Sequence, residues 1–331
     1  MNTWDVFGHD WAVEMLQQHI AHQTLRHAYL LTGPAGVGRR TLAVRLAQAL
    51  NCANGAPDAP GVPCRTCRTC KQIEAGQNAD LMVVQAESEG GTLKVEQVRE
   101  IQKFLSLRPY QSSYKTVLFL RFQEANANAQ NALLKTLEEA PAYGILLLTA
   151  DNAEQLLPTI VSRCEILRLR PLKVDTVAEF LQTRQVDAEK AQLLAHLSGG
   201  RPGVALRLSS DEKALAFRGE KLDDLARLLA AKRRERFSYA EKLVKDKDTF
   251  RQTLLIWLSY WRDVFLKTSG AQASLTNADR AEEIDSLAGR VDLSLARNVT
   301  EALENAVGRL EKNINARLLA EVTLMDWPVV K

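Results

Sequence analysis

The sequence has no run of about eighteen apolar residues, the length a helix needs to cross a bilayer. Its opening residues, MNTWDVFGHD, have neither a basic start nor an apolar stretch of the secretory kind. No membrane partner is expected, and the expected location is the cytoplasm. An excess of one charge is also missing: 43 Lys plus Arg stand against 40 Asp plus Glu, a net charge of +3. That balance excludes a general attraction to phosphate backbones, so contact with nucleic acid has to be local or shared with partners. Strand patterns are lacking after Leu172, where every periodic stretch is helical. Cysteine is scarce and clumped. Four of the five, Cys52, Cys64, Cys67 and Cys70, fall within nineteen residues, which in a reducing compartment points to metal rather than to disulfides.

What is present suffices for two or three domains: 331 residues, 46% of them hydrophobic, are too many for one core. From Asp5 to about Arg170, short apolar runs (HAYLLTG, DLMVVQA, KTVLFLRF, GILLLTA) alternate with amphipathic stretches such as TLAVRLAQAL and AQNALLKTLEE. Strand-like runs interleaved with helical periods predict an α/β domain, a parallel sheet wrapped by helices. Residues 171–210 read as a few short helices punctuated by Gly199, Gly200, Pro202 and Gly203. Residues 211–331 read as helical throughout, with a stripe of Leu254, Trp257, Leu258, Trp261, Val264 and Phe265. At helical spacing such tryptophans belong to core or subunit packing rather than to base stacking. The stretch SGAQASLTNAD reads as a weakly ordered linker, and AAKRRERF as a solvated helix face.

Between a strand and a helix lies Gly33-Pro-Ala-Gly36-Val-Gly38, followed by Arg39, Arg40 and Thr41. This is the setting of a P-loop, in which backbone N–H groups and a helix start wrap a phosphate. A working loop continues with Lys, for the β- and γ-phosphates, and then Ser or Thr, for Mg²⁺. Here Arg39 and Arg40 hold those places and Thr41 falls one residue late. A guanidinium ligates no cation, so ATP is not expected to be hydrolysed, while weak binding stays open. Beyond the run VLFLRF, where an Asp-Glu pair would organise metal and water, the chain offers Gln123 and Glu124. The rival reading is an active ATPase with unusual ligands.

The spacing Cys52-x11-Cys64-x2-Cys67-x2-Cys70 supplies four thiolates in a loop rich in Gly and Pro, at about 52–70. Zinc takes such tetrahedral sets, and four protein ligands leave no open position for a catalytic water, so structural Zn²⁺ is expected. Arg65, Arg68 and Lys71 lie between or just after the cysteines, which admits a zinc-dependent nucleic-acid module. Such modules bring a reading helix that this loop lacks.

The segments GPAGVGRRTLA, the four-cysteine insert, AQNALLKTLEEAP, LLLTADNAEQLLPTIVSRC, SGGRPGVAL and LEKNINARLLAEVTLMDWP follow one another along the chain. In that order they resemble the AAA+ subunits of the bacterial DNA polymerase III clamp loader. The resemblance implies an AAA+ P-loop-like domain over 1–170 carrying the zinc module, a small helical lid over 171–210 and an all-α collar over 211–331, with Leu310 to Asp326 in the collar. It implies gamma/tau and delta subunits, a sliding clamp and primed DNA as partners. In this family the arginine of Ser162-Arg163-Cys164 would reach in trans to the γ-phosphate of ATP bound by a neighbour. The plainer alternative has Arg163 cap a helix or pair with Glu165. The lid arginine of the gamma/tau ATPases falls at Gly203, with Arg201 two residues earlier. The departures at Arg39, Arg40 and Gln123 set the chain on the nonhydrolysing side of the family; the alternative is an active gamma-type ATPase.

Overall fold

The computed structural model describes residues 4–55, 60–87, 90–311 and 315–329. The stretch 56–59 of the cysteine loop, with Pro57, and residues 312–314 of the C-terminal segment lie outside them. The chain divides into two units, residues 1–176 with 200–204, and residues 177–199 with 205–331.

The first unit is built on five parallel strands, β1 Ala28–Thr32, β2 Leu81–Val84, β3 Lys115–Phe119, β4 Gly144–Ala150 and β5 Glu165–Arg168. Their order is β2-β3-β4-β1-β5. In the centre, Leu30 lies beside Leu148 on one flank and Ile166 on the other. Every residue of β1, β3 and β4 is buried, which is why these strands read as unbroken apolar runs rather than as alternating ones. Helices α1 Asp10–Ala21 and α2 Arg39–Asn51 cover one face, with α3 Arg68–Glu74 in the cysteine insert. Val13, Leu16, Leu42 and Leu46 pack there on Tyr29, Leu31 and Leu147. Helices α4 Val95–Ser106, α5 Ala127–Glu138 and α6 Pro158–Val161 belong to the other face. There Val98, Ile101, Leu133 and Ile160 meet Leu30, Phe119 and Leu148, the i, i+2 alternation of the strand dividing the two layers.

Helices α7 Val174–Gln182, α8 Ala188–Leu197 and α9 Pro202–Ser210 follow, and then α10 Glu212–Ala230, α11 Arg233–Leu243, α12 Lys247–Thr268, α13 Ala281–Ala288, α14 Leu293–Glu311 and α15 Ala316–Met325. Among the described residues no strand follows β5, and no helix is long and apolar enough to cross a membrane. The tryptophan stripe of α12 is core, as its spacing suggests. Trp257 and Trp261 are fully buried with Leu254 and Val264, and Trp257 meets Trp327 edge to face at 4.8 Å. The indole N–H of Trp257 donates to the Lys221 carbonyl at 2.7 Å, so its one polar atom is satisfied.

Two sequence expectations are corrected here. In AAKRRERF, Lys232, Arg233, Arg234 and Glu235 are exposed, but Arg236 points inward and is 2% exposed. Its guanidinium donates to the carbonyls of Leu228 (3.0 Å), Trp327 (2.7 Å) and Pro328 (2.8 Å), and also reaches those of Leu229 and Leu324. One cation thus satisfies the orphan carbonyls at the ends of α10 and α15, where a helix terminus favours positive charge. SGAQASLTNAD is not loose along its length. Buried Asp263 accepts from the backbone N–H of Thr276 (3.1 Å) and Asn277 (2.7 Å), and Arg218 donates to the Asn277 side chain at 2.6 Å.

Candidate functional site

The P-loop leaves the end of β1 and enters α2. Three glycines at positive φ shape it: Gly33 (139°), Gly36 (84°) and Gly38 (118°). A Cβ on Gly33 would lie 2.2 Å from the Leu169 carbonyl oxygen, and one on Gly36 would lie 2.7 Å from a methyl of Val204. Glycine is therefore required at both places on steric as well as conformational grounds. Gly203 approaches equally closely, its N–H donating to the Gly36 carbonyl at 2.9 Å, and a Cβ on Gly203 would meet that same oxygen at 2.9 Å. Buried His9 hydrogen-bonds through Nε2 to the Val37 carbonyl at 3.1 Å. Burial holds its pKa below the ordinary histidine value, and the neutral ring donates this bond.

Arg39 opens α2, buried, and its Nη2 lies 2.7 Å from Asp151 Oδ1, just past the end of β4. The cation that a P-loop aims at phosphate is here paired with a carboxylate of its own chain. Its Nη1 is buried with no hydrogen-bond partner among the described residues. Arg40 and Thr41 are exposed on the first turn of α2.

The end of β3 differs from the run VLFLRF. The strand stops at Phe119, and Arg121 takes a left-handed φ of 53° with its N–H on Thr149 Oγ1 at 2.9 Å. The residues directly after the strand are thus Leu120 and Arg121. Gln123 and Glu124 sit further on, in a short 3-10 turn over Phe122–Glu124. Glu124 Oε1 accepts from Arg121 Nε (2.8 Å) and from the Gly90 N–H (2.8 Å), so this carboxylate is neutralised by the arginine that follows the strand.

Ser162-Arg163 follows α6. Its entry is fixed by Gln130, whose side chain accepts from the Leu157 N–H at 2.9 Å and donates to the Ala125 carbonyl at 3.0 Å. Ser162 Oγ and Arg163 Nη1 both donate to the Thr159 carbonyl, at 3.2 and 2.9 Å. Arg163 Nη2 lies 2.6 Å from Glu138 Oε1 on the last residue of α5. The capping half of the plainer alternative is present in this bond to Thr159. The acidic partner is Glu138, whereas Glu165 faces Arg26 at 3.8 Å. Burial pushes the Cys164 thiol beside it up to about 12.

The cysteine cluster is closed. The four sulfur atoms of Cys52, Cys64, Cys67 and Cys70 lie within 4.8 Å of one another. Four thiolates around one zinc at a bond length of about 2.3 Å stand about 3.8 Å apart, so the set fits a metal ion. The N–H of Cys64 points at the sulfur of Cys52, that of Cys67 at Cys64 and that of Cys70 at Cys67, at 3.3 to 3.4 Å. The bond from the Cys67 N–H brings the Cys64 thiol down to about 6, and thiolate is the form a metal takes. Arg65, at φ 59°, turns the chain between the first two cysteines of the triplet and pairs with Asp5 at 2.9 Å. The insert is fastened further by Trp4 Nε1 on the Gly61 carbonyl (2.7 Å) and Gln48 Nε2 on the Cys70 carbonyl (2.8 Å).

Asp151, Glu138 and Arg121 were not singled out in the sequence. Only Asp151 left a trace there, as the first polar residue after a buried parallel strand, the end at which α/β sheets bind ligands.

Set beside known proteins, residues 8–173 match the profile of the family described as DNA polymerase III, delta subunit. Residues 213–328 match the family described as DNA polymerase III, delta subunit, C terminal. The chain is 29% identical over 313 residues to the DNA polymerase III subunit delta' of Bacillus subtilis, covering 93% of each. It is 40% identical over 185 residues to the subunit delta' of Pseudomonas aeruginosa, 55% of each. To the tau subunit of Bacillus subtilis it is 28% identical over 220 residues, 65% of this chain and 38% of tau.

Proposed function

The chain belongs to the delta-prime family of DNA polymerase III clamp-loader subunits, and on that premise we propose that it hydrolyses no ATP itself while Arg163 completes the ATP site of a neighbouring gamma/tau-type subunit. The ion pair of Arg39 with Asp151 at 2.7 Å carries this reading. A phosphate entering the loop would have to displace a carboxylate already paired with Arg39. Magnesium would find no hydroxyl at position 40, since Thr41 lies one residue on at the exposed side of α2. At the end of β3 it would meet Arg121 rather than an acid. Weak nucleotide binding stays compatible with Nη1 of Arg39, which has no hydrogen-bond partner among the described residues, and it is the ground left to the gamma-type alternative.

Arg163 stands in the opposite condition. Its side chain is 37% exposed, at the outer end of α6, and its carboxylate partner Glu138 is 51% exposed. An exposed ion pair contributes at most about 1 kcal/mol, so exchanging Glu138 for the γ-phosphate of a neighbour meets little resistance. A planar, permanently charged guanidinium suits the charge that spreads over a transferred phosphoryl group. Ser162, bonded to the same Thr159 carbonyl, helps to fix the turn that carries it.

In this reading gamma/tau and delta subunits are the direct partners, and the assembled ring places a sliding clamp on primed DNA in the cytoplasm. Residues 1–170 act as the AAA+ domain, 171–210 as the lid and 211–331 as the collar. Exposed Leu318 and Val322, four apart on α15, suit a subunit contact of that collar. The four cysteines hold Zn²⁺ for shape alone, since all four positions of the ion are taken by protein.

The test is a reconstituted complex carrying Arg163→Ala. The variant is expected to assemble normally by size exclusion while single-turnover hydrolysis at the adjoining site falls about 10³-fold or more. The isolated wild-type chain is expected to show no magnesium-dependent turnover. Unchanged hydrolysis in the complex removes the finger, and rapid turnover by the chain alone removes the inert P-loop.

A further inference from the structure

The loop 107–112 presents side chains that the fold does not use. Leu107 is 66% and Tyr110 86% exposed, and Arg108 beside them is exposed as well. The loop is nonetheless rigidly seated. Asp80, 1% exposed, accepts from the backbone N–H groups of Tyr110 (2.8 Å), Gln111 (2.9 Å) and Ser112 (2.9 Å). Burial opposes its charge, but these three donors outweigh it and hold the carboxyl below its ordinary pKa. A buried carboxylate committed to three successive peptide groups fixes the backbone that carries Tyr110, so little conformational freedom remains to be lost when a ligand is bound.

Next to this loop is a cleft of about 390 Å³ lined by Thr66, Arg68, Lys71, Gln72 and Gln77 of the cysteine insert and its following turn. Gln111 Nε2 donates to Gln72 Oε1 at 3.2 Å, which joins the loop to the wall of the cleft. The lining has two cations, three neutral hydrogen-bonding side chains and no carboxylate. Among the described residues no salt bridge engages Arg68, Lys71 or Arg108.

We propose that this edge, formed by Arg68 and Lys71 of α3 and by Arg108 and Tyr110 of the 107–112 loop, binds single-stranded nucleic acid. The cations take phosphates, and the outstanding tyrosine ring gives one base a face to stack on. Positive charge tracking a backbone beside an accessible aromatic is the chemistry by which single strands are held without sequence preference. An acidic peptide would satisfy the charge equally well. It would offer the Tyr110 ring no base to stack on, whereas a single strand engages both the cations and the ring. The site is separate from the P-loop and from Arg163, so it stands whichever way ATP is handled.

The test is fluorescence anisotropy of a labelled fifteen-nucleotide oligothymidylate with the full-length chain, at 50 and 200 mM salt. Three phosphate contacts on a single strand predict an affinity about 18-fold weaker at the higher salt. Tyr110→Ala is expected to weaken binding about 10-fold and Tyr110→Phe to leave it nearly unchanged, since the ring and not the hydroxyl stacks. Arg68→Glu combined with Lys71→Glu is expected to weaken it at least 10-fold. All these side chains are exposed or rim the cleft, and retained circular dichroism and thermal midpoint are checked for each variant. No binding by the wild type, or equal binding by Tyr110→Ala and the double variant, overturns the proposal. A labelled polyglutamate of the same length that binds as tightly, and competes with the oligonucleotide, also overturns it in favour of an acidic protein partner.

Discussion

Two arginines of the sheet unit, Arg39 at the glycine loop and Arg163 after α6, are held in opposite ways. Arg39 in the P-loop is 8% exposed and bound to Asp151, at a place where Gly203 closes on Gly36 from outside. Arg163 is 37% exposed and held by one surface carboxylate and one helix-end carbonyl. A guanidinium that is itself buried against a partner of its own chain becomes structure, and one that stays exposed can exchange its partner. On the function proposed above, Arg163 is the arginine lent to another subunit.

A third arginine marks the far end of this scale. Arg236 is buried and gives its donors to backbone carbonyls at the ends of α10 and α15. Removing it leaves those carbonyls buried without partners, so Arg236→Ala is expected to destabilise the helical unit by about 3–5 kcal/mol. Urea unfolding followed by tryptophan fluorescence reads this directly, because Trp257 and Trp327 lie in the same core. A loss below about 1 kcal/mol would break the link between burial of a guanidinium and its structural weight.

Asp151→Ala is expected to come next. It strands the Arg39 guanidinium, but the carboxylate it removes is 39% exposed, so solvent recovers part of the loss and about 1–3 kcal/mol is expected. The isolated variant should still turn over no ATP, because freeing Arg39 supplies neither a hydroxyl at position 40 nor an acid after β3. Magnesium-dependent hydrolysis by Asp151→Ala would recast the ion pair as a lock on a competent site and would erase the contrast with Arg163.

The parts of this molecule that were legible in its sequence are those specified by neighbours along the chain. The central strands are buried on both faces and so appear as apolar runs. The tryptophan stripe of α12 follows helical spacing, and three of the four cysteines share two-residue gaps around Cys67. What stayed hidden depends on long-range pairing. The carboxylate of Asp151 meets Arg39 across the sheet, and Arg236 answers carbonyls up to 92 residues away. A run of basic residues says nothing about which one turns inward. The end of β3 was hidden for a local reason: buried Phe122 prolongs the apolar pattern past Phe119, and only the left-handed turn at Arg121 shows where the strand stops.

The smallest expected effect on stability is at Glu138, and it is the most discriminating. Glu138→Gln removes the charge facing Arg163 while keeping a side chain of the same length at the end of α5. An exposed pair of this kind predicts a change in unfolding free energy within about 0.5 kcal/mol. In the assembled complex the freed guanidinium no longer has to leave a carboxylate to reach a phosphate, so turnover at the adjoining site should be faster than wild type, whereas Arg163→Ala should slow it. The two substitutions break the same 2.6 Å contact. If that contact mattered only to the fold of this chain, both would move stability and turnover in the same direction. Opposite signs in turnover, with stability unmoved, are what a guanidinium held in reserve for another subunit requires.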